Sequence, residues 1–401
     1  MSGALSHVRR ADARGMRALL LLVARCSAAS LAAEPRAAPA AAATVAKLGV
    51  YDYFIDESSP LIFNGALLMF ESVVRSSPSW AGNWLPAFKD CDSYYRVRDM
   101  RTLAIIVNIT ATCEHAFGAA TVVPGAGGGA DTFLISGTPW DRVNAPPPPP
   151  PPQGPARLRG RQGWSGPCAG SAANCSVDLF FSSSPALEDA SWSVRAGAQG
   201  IRMPFGVYNN DITAVPAAAG LPWRWAMALE TTAETARFAA SGAEDPTDTG
   251  AWAVLNASVT VPRLPDVGSC PSLRHDGAAF YYLTGGTNIQ ILRSADLLAW
   301  TASARSVIRH ADAGDCVVAP AWFGPYVPTG VAQQKLASCG PGGNFGDDSD
   351  VDLVEWPAPF GDASLGPATL LQYGSGNQAT FGFSNLALFN GTMNSVLQSF
   401  F

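Results

Sequence analysis

The stretch Ile289-Gln-Ile-Leu-Arg-Ser-Ala-Asp-Leu-Leu-Ala-Trp300 decides the fold class of this chain. Its pattern is that of a strand, a turn built on Ser-x-Asp-Leu, and a tryptophan that opens another strand. Just upstream, Arg274-His-Asp-Gly-Ala-Ala-Phe-Tyr-Tyr-Leu283 has two short apolar runs around an Asp-Gly turn, which is typical of a β-hairpin. Together the two stretches predict one small antiparallel sheet.

The same design recurs along the chain. Phe63-Asn-Gly-Ala-Leu-Leu-Met-Phe70 contains two short strands around an Asn-Gly turn. Phe180-Phe-Ser-Ser-Ser-Pro-Ala-Leu187, followed by Trp192, repeats the turn and the tryptophan that end the unit. Trp252 and Trp356 take comparable late positions in units of their own. The chain is therefore expected to repeat one structural unit.

The spacing of these tryptophans predicts the architecture. The four residues, Trp300 included, are separated by 60, 48 and 56 residues, which suits one four-stranded sheet per unit with loops of variable length. Units at about 50–110, 111–200, 201–262, 263–310 and 311–401 predict an all-β fold, a five-bladed β-propeller of four-stranded antiparallel blades. The alternative is a β-sandwich with ordinary core tryptophans. The C-terminal apolar segments, 385–391 and 396–401, are expected to return to the first unit and close the ring.

Composition excludes some functions. Charged residues make up only 14% of the chain, and the formal net charge is −6. Beyond the N-terminal region the only basic run is Arg157-Leu-Arg-Gly-Arg161, so no nucleic-acid partner is expected. The sequence also lacks a Gly-x-Ser-x-Gly elbow, a P-loop and a His-Glu-x-x-His helix.

The N-terminus has the pattern of a secretory signal. Four arginines precede the apolar run Ala18-Leu-Leu-Leu-Leu-Val-Ala24, and small residues follow as far as Ala33. The run is too short for a transmembrane helix, so no stable membrane span is expected. A disordered alanine-rich leader or an organelle transit peptide are the alternatives. We predict a signal peptide and Ala/Pro-rich linker at 1–45, and a propeller at 46–401 with a Pro-rich loop insertion at 144–166.

Glycosylation sequons and cysteines agree with a secreted or lumenal protein. Asn-x-Ser/Thr sequons begin at four positions, Asn108, Asn174, Asn256 and Asn390. No pair of cysteines has zinc-finger spacing, so disulfides are the better interpretation. The candidate disulfide pairs are Cys91 with Cys113, Cys168 with Cys175, and Cys316 with Cys339. Cys270 is then expected to be unpaired.

The fourth unit resembles a known family. Cys270-Pro-Ser-Leu-Arg274, Phe280-Tyr-Tyr-Leu-Thr-Gly-Gly286 and Arg293-Ser-Ala-Asp-Leu-Leu-Ala-Trp300 are similar to one blade of the five-bladed propellers of glycoside hydrolase family 43, the arabinanase and β-xylosidase type. The resemblance implies a funnel along the ring axis, with functional residues where the innermost strands begin. It also implies sugar substrates, hydrolysed with inversion by an acid, a base and a third carboxylate that tunes the acid.

The catalytic candidates follow from matching this pattern to the strand starts and ends. Where the family has an Asp-Pro that carries the base, this chain has Asp56-Glu-Ser-Ser-Pro60, so Asp56 or Glu57 is the candidate base. Where the family has a Glu near the third inner strand, this chain has Asn209-Asn-Asp211. Asp211 is therefore the candidate acid or tuning carboxylate. Glu230, which closes an apolar strand, is the alternative acid.

Four further residues are candidates for substrate binding: Glu71, His115, Asn210 and Asp350. Glu71 ends a strand as Glu230 does, although pairing with a nearby arginine would explain it equally well. His115 opens an inner strand and can donate to a sugar hydroxyl, unless it is a structural histidine. No cofactor is expected to be required and no metal ligands are assigned. A structural calcium at Asp347, Asp348, Asp350 and Asp352 is the alternative, although these residues lack the spacing of a dedicated calcium loop.

The resulting hypothesis is a secreted glycoside-hydrolase-like propeller that acts on a plant- or algal-type polysaccharide or glycan by inverting acid/base hydrolysis. Such hydrolysis needs two carboxyl groups roughly 6.5–9.5 Å apart. Carbohydrate is the expected partner. The alternative hypothesis is a non-catalytic carbohydrate-binding or cell-surface propeller that has lost the catalytic pair.

Overall fold

The computed structural model describes residues 45–53, 55–74, 91, 93–139, 175–231, 235–255, 270–286, 288–309, 348–359, 363–375 and 383–401. The predicted signal peptide and most of the linker, and the Pro-rich loop insertion, lie outside these residues. So do Cys168, Cys316 and Cys339, and with them two of the candidate disulfides. Those expectations stay predictions.

The described residues form mostly strands, with several three-residue 3-10 helices between them and one short α-helix near the C-terminus. The strands are β1 (Val45–Tyr53), β2 (Ile55–Phe63), β3 (Ala66–Val74), β4 (Ser93–Asp99), β5 (Ile105–Ile109), β6 (His115–Val123), β7 (Thr132–Pro139), β8 (Cys175–Ser182), β9 (Ser193–Arg195), β10 (Ile201–Met203), β11 (Val207–Ala214), β12 (Trp225–Thr231), β13 (Ala236–Ser241), β14 (Trp252–Val254), β15 (Ser272–His275), β16 (Phe280–Thr284), β17 (Asn288–Ser294), β18 (Thr301–Ala302), β19 (Ile308–Arg309), β20 (Asp348–Trp356), β21 (Ala368–Ser375) and β22 (Phe383–Asn390). The helix is α1 (Met393–Gln398).

These strands make five antiparallel sheets arranged as the blades of a propeller. The strand orders are β2-β3-β4-β5, β6-β7-β8-β10, β11-β12-β13-β14, β15-β16-β17-β18 and β20-β21-β22-β1, while β9 pairs with β8 and β19 with β17. The innermost strands β2, β6, β11, β15 and β20 contact one another in that order, and β20 contacts β2. The ring is closed, and the predicted five-bladed β-propeller is confirmed.

The Asn-Gly hairpin of the first blade is confirmed. Phe63 pairs with Ala66, so only Asn64 and Gly65 form the turn between β2 and β3. Both have positive φ, 50° and 77°. A two-residue turn with two positive φ angles matches the right-handed twist of the flanking strands, and Asn-Gly adopts it at the lowest cost.

The C-terminal segment closes the ring against the N-terminal strand, as expected, but this pairing lies within the last blade. The N-terminal strand β1 pairs with β22, with Val45 opposite Phe389 and Asp52 opposite Ser384, and becomes the outermost strand of the last blade. The segment 385–390 is the third strand of that blade, and it does return to the start of the predicted first unit, with Val50 opposite Asn385. Residues 393–398 form α1, whose Val396 and Leu397 are buried in the core. Joining the two ends of the chain in one sheet fixes the first blade against the last.

Three of the four repeated tryptophans take equivalent positions. Trp192 directly precedes β9, Trp252 begins β14 and Trp300 directly precedes β18. The expectation for Trp356 is wrong, because it ends β20, the innermost strand of the last blade. Trp192 packs edge-on against Phe133 of its own blade, and Trp300 stacks on Phe238 of the preceding blade with centroids 4.9 Å apart. The second contact helps to hold neighbouring blades together.

One candidate disulfide is confirmed. Cys91 and Cys113 are bonded, with Cα atoms 5.4 Å apart and a sequence separation of 22. The bond ties the segment before β4 to the segment between β5 and β6. No helix among the described residues is long and apolar enough to cross a membrane.

Candidate functional site at the propeller axis

A cavity lies where all five innermost strands begin, as the family resemblance implies. Its lining comes from β2, β6, β11, the residues before β15, and β20: Glu57, Ser58, Ser59, Gly118, Ala119, Asn209, Asn210, Cys270, Pro271, Asp350, Val351 and Asp352. We call this space the axial cavity. It offers about 20 Å³ to the centre of a water molecule. That is enough for one water or one ion, and too little for a sugar ring.

Backbone irregularities direct side chains into this cavity. Four of the five innermost strands change register close to their cavity residues: between 55 and 57, 116 and 119, 207 and 210, and 349 and 352. Phe117, Cys270 and Asp350 also have positive φ, which is uncommon for residues other than glycine. A bulge shifts the alternation of side chains, so that successive residues can face the axis. The hydrophobic pattern of the sequence does not show these shifts.

Three groups that can carry negative charge meet in the axial cavity. One carboxylate oxygen each of Glu57 and Asp350 and the sulfur of Cys270 lie within 4.8 Å of one another. Their residues are 8%, 5% and 4% exposed. They come from three different blades, the first, the fifth and the fourth. Two carboxylates this close and this buried favour sharing a proton or binding a cation.

Glu230 does not line the cavity itself but contacts two residues that do. Its Oε2 accepts a hydrogen bond from Asn209 Nδ2 at 2.5 Å and another from the Cys270 backbone nitrogen at 3.1 Å. Asn209 Nδ2 also donates to Cys270 Sγ at 3.1 Å. Glu230 therefore fixes two lining residues. Cys270 Sγ is at most 4.8 Å from the nearest Glu57 oxygen, and the hydrogen bonds of Asn209 Nδ2 link that sulfur to Glu230 Oε2. The distance from Glu230 Oε2 to the Glu57 oxygen is therefore at most about 10 Å.

Asp211 is buried in a charge cluster with Arg274 and Asp352. Arg274 Nη1 donates to Asp211 Oδ2 at 2.7 Å, and Arg274 Nη2 donates to Asp352 Oδ1. The Leu273 backbone nitrogen also donates to Asp211 Oδ2, at 2.6 Å. Burial raises the pKa of Asp211 and Asp352 raises it further, while Arg274 opposes both, leaving the pKa at about 7. One guanidinium thus joins the third, fourth and fifth blades.

Glu71 belongs to a second charge cluster, in the first blade. It is completely buried, and Arg98 Nε donates to its Oε1 at 2.6 Å while Arg96 Nε donates to its Oε2. Both arginines also pair with Asp52 of β1. Burial would raise the pKa of Glu71, but the charges of Arg96 and Arg98 outweigh it and hold the pKa below its usual value. This cluster connects the first blade to the strand that closes the ring.

His115 makes two polar contacts. Its Nε2 lies 3.0 Å from Asp178 Oδ2, and its Nδ1 lies 3.1 Å from the Cys113 carbonyl oxygen. The ring also packs edge-on against Phe180, with centroids 4.8 Å apart. Asp178 in turn accepts from Ser176 Oγ and from the Gly197 backbone nitrogen. These contacts are those of a structural histidine.

Three of the candidate site residues line the axial cavity together: Glu57, Asn210 and Asp350. The candidates off the lining are Glu230, Asp211, Glu71 and His115, each in the contacts described above. Asp56 lies in β2, and its side chain is outside the described residues, as are those of Asp347 and Asp348. The catalytic and binding roles stay predictions.

Sequence reasoning did not anticipate Cys270 and Asn209 as cavity residues. Cys270 lies two residues before the inner strand of the fourth blade, at the end of the propeller where the other inner strands place their cavity residues. Nothing in the sequence signals that Asn209 faces inward, because the register shift in β11 determines its direction.

The chain is thus a five-bladed β-propeller with a polar axial cavity. No family model matches the sequence, and no curated protein matches it. Among solved structures, it is similar to the catalytic domain of the Coprinopsis cinerea GH62 α-L-arabinofuranosidase, at 10% identity and TM-score 0.44, covering 90% of this chain and 95% of the other.

Two further similar structures also carry the names of carbohydrate-acting enzymes. A GH62 hydrolase in complex with xylotriose is 8% identical, with TM-score 0.45, covering 85% of this chain and 92% of the other. The family 43 enzyme from Xanthomonas citri in complex with xylotriose is 10% identical, with TM-score 0.41, covering 92% of this chain and 93% of the other. At such identities the similarities say nothing about the residues of the axial cavity.

Proposed function

We propose that this protein is a secreted glycoside-hydrolase-like propeller that cleaves a glycosidic bond at the mouth of the axial cavity. The observation that carries the proposal is the convergence of all five innermost strands on one polar cavity that contains the buried carboxylates of Glu57 and Asp350. Perturbed or buried carboxylates in a concave site are the usual sign of acid/base chemistry.

The size of the cavity limits how a sugar can bind. About 20 Å³ accommodates a water molecule but no sugar ring. The substrate would therefore lie across the mouth, with only the reacting bond and the attacking water close to the carboxylates. Plant- or algal-type polysaccharides, whose chains can lie across an open mouth, remain the proposed substrates.

Glu57 is the proposed base and Glu230 the proposed acid. The bound of about 10 Å between their nearest oxygens is compatible with the roughly 6.5–9.5 Å that an inverting pair needs. Asp350, within 4.8 Å of Glu57, is too close to be the inverting partner and would position the substrate.

Asp211 is the less suitable acid, although its pKa of about 7 would fit that role. Like Glu230, it does not belong to the lining of the axial cavity, but its carboxylate is also paired with the guanidinium of Arg274, which favours the ionised form. A general acid must reach the oxygen of the leaving group directly or through one water. We assign Asp211 a role in holding the blades together.

Secretion is part of the proposal. The N-terminal pattern of basic, apolar and small residues supports it, and so does the disulfide between Cys91 and Cys113. The sequon asparagine Asn390 lies at the exposed end of β22, where an oligosaccharide can be accommodated. We propose that this residue is glycosylated.

A non-catalytic carbohydrate-binding propeller is the second candidate function. One specific observation favours it: both candidate acids, Asp211 and Glu230, already accept hydrogen bonds from neighbouring residues. Such bonds stabilise the ionised carboxylate and disfavour proton donation.

Hydrolysis assays separate the two functions. Full-length protein is expected to hydrolyse 4-nitrophenyl α-L-arabinofuranoside or β-D-xyloside. The Glu57→Gln and Glu230→Gln variants should lose about 10²–10⁴-fold in kcat. Glu244→Gln is the matched control, because that side chain is 86% exposed. Equal rates in all four proteins would refute the assignment, and glycan-array binding without turnover would establish the second function.

A further inference from the structure

We propose that the axial cavity is a binding site for a thiophilic divalent cation, Zn²⁺ in the first place, with Glu57, Cys270 and Asp350 as ligands. The three ligand atoms, two carboxylate oxygens and one sulfur, lie within 4.8 Å of one another. At about 2.0–2.3 Å from a common centre, the ligands of a tetrahedral Zn²⁺ are about 3.3–3.8 Å apart. Small side-chain rotations would bring the three groups to that spacing.

The two cavity asparagines provide an independent observation. Oδ1 of Asn209 and Oδ1 of Asn210 are buried, and neither accepts a hydrogen bond from any residue that the structure describes. Their nitrogens are engaged: Asn209 Nδ2 donates to Glu230 and Cys270, and Asn210 Nδ2 donates to the Phe117 carbonyl at 3.2 Å. The amide orientations are therefore fixed, and two buried acceptors remain for a ligand in the cavity.

The chemical types of the ligand atoms indicate which cation the cavity would bind. Carboxylate and amide oxygens alone suit Ca²⁺ or Mg²⁺, but a cysteine sulfur is a poor ligand for such hard cations and a good one for Zn²⁺. The cavity is also small, with about 20 Å³ open to the centre of a water molecule. That space holds one ion, whose ligands would come from the lining residues.

The surroundings resemble an outer shell for such an ion. Asn209 Nδ2 donates to the Cys270 sulfur at 3.1 Å, and Glu230 holds both residues through its Oε2. Hydrogen bonds to ligand atoms orient them and tune their charge. An ion at this point would join the first, fourth and fifth blades at the axis.

The binding of the ion does not depend on hydrolysis. An ion there would engage the carboxylate of Glu57, which is also the proposed base. Hydrolysis assays with and without a chelator therefore show whether that carboxylate acts free or as a ligand. Failure of the hydrolysis proposal would leave the metal site standing, because the tests below measure the ion itself.

The experiment titrates ZnCl₂ into chelator-treated, full-length protein by isothermal titration calorimetry. We expect one Zn²⁺ per chain, a higher Tm with Zn²⁺ than without, and at least tenfold weaker binding in Cys270→Ser and in Glu57→Gln. Glu244→Gln, an exposed carboxylate, should bind as the unaltered protein does. Replacing Zn²⁺ with Co²⁺ should give a thiolate-to-cobalt charge-transfer band that Cys270→Ser abolishes.

Three results would overturn the proposal. These are no Zn²⁺ binding by the unaltered protein, equal Zn²⁺ affinity in all variants, or a Co²⁺ complex without a thiolate band. If Cys270→Ser does not fold, Glu57→Gln and the Co²⁺ spectrum of the unaltered protein decide the matter.

Discussion

Replacing Arg274 with methionine is expected to lower the free energy of unfolding by about 3–5 kcal/mol. Arg274 donates to both Asp211 and Asp352, which are 1% and 4% exposed. Without the guanidinium, Asp211 takes up a proton at pH 7 and Asp352 stays buried without its cation, so the compensation for burying both groups is lost. Urea unfolding at pH 7 measures the change.

Two sets of controls make this prediction specific. Arg101→Met removes an exposed arginine and should change stability by less than about 0.5 kcal/mol. Adding Asp211→Asn and Asp352→Asn to Arg274→Met should restore much of the loss, because the uncompensated charges are then gone. A triple variant no more stable than Arg274→Met would show that the arginine stabilises the protein through packing, not charge.

Replacing Glu71 with glutamine is expected to destabilise the protein by about 3–5 kcal/mol at pH 7, because the buried Arg96 and Arg98 lose their shared carboxylate. The effect should depend on pH. The pKa of Glu71 in the folded protein lies below its usual value of 4.5, so its stabilising contribution is complete above that value. The contribution is lost as the pH falls through the folded-state pKa.

The measurement is the difference in unfolding free energy between the unaltered protein and Glu71→Gln at several pH values. The difference should be largest near pH 7 and narrow steadily below about pH 4.5, where Glu71 begins to take up a proton in the unfolded chain. Glu244→Gln, which alters an exposed side chain, corrects for general effects of charge. A difference that stays constant down to acid pH would mean that the ion pair is not its source.

The blades could be predicted because their signals are local. The turn at Asn64 and Gly65 lies within one hairpin, and the tryptophans Trp192, Trp252 and Trp300 mark the same strand in successive blades. The disulfide between Cys91 and Cys113 could also be predicted, because its cysteines have a sequence separation of only 22. Short-range patterns of this kind survive in a single sequence.

The blade that β1 joins and the charge clusters could not be predicted, because they depend on pairing between distant segments. β1 pairs with β22 at the other end of the chain, and the sequence of β1 alone does not indicate which blade it joins. Arg274 meets Asp211 across 63 residues, and only the packing of neighbouring blades brings them together. The inward direction of Asn209 and Asp350 depends on register shifts, which a hydrophobic pattern does not reveal.

A crystal structure of the Glu57→Gln variant, soaked separately with xylotriose and with arabinotriose, tests most directly whether the axial cavity is the sugar site. The variant should bind without turnover, so that the ligand persists. We expect one of the sugars across the mouth of the cavity, with a ring close to position 57 and to Asp350. A sugar bound instead on the outer strands of the blades, with none at the axis, would contradict the proposed site.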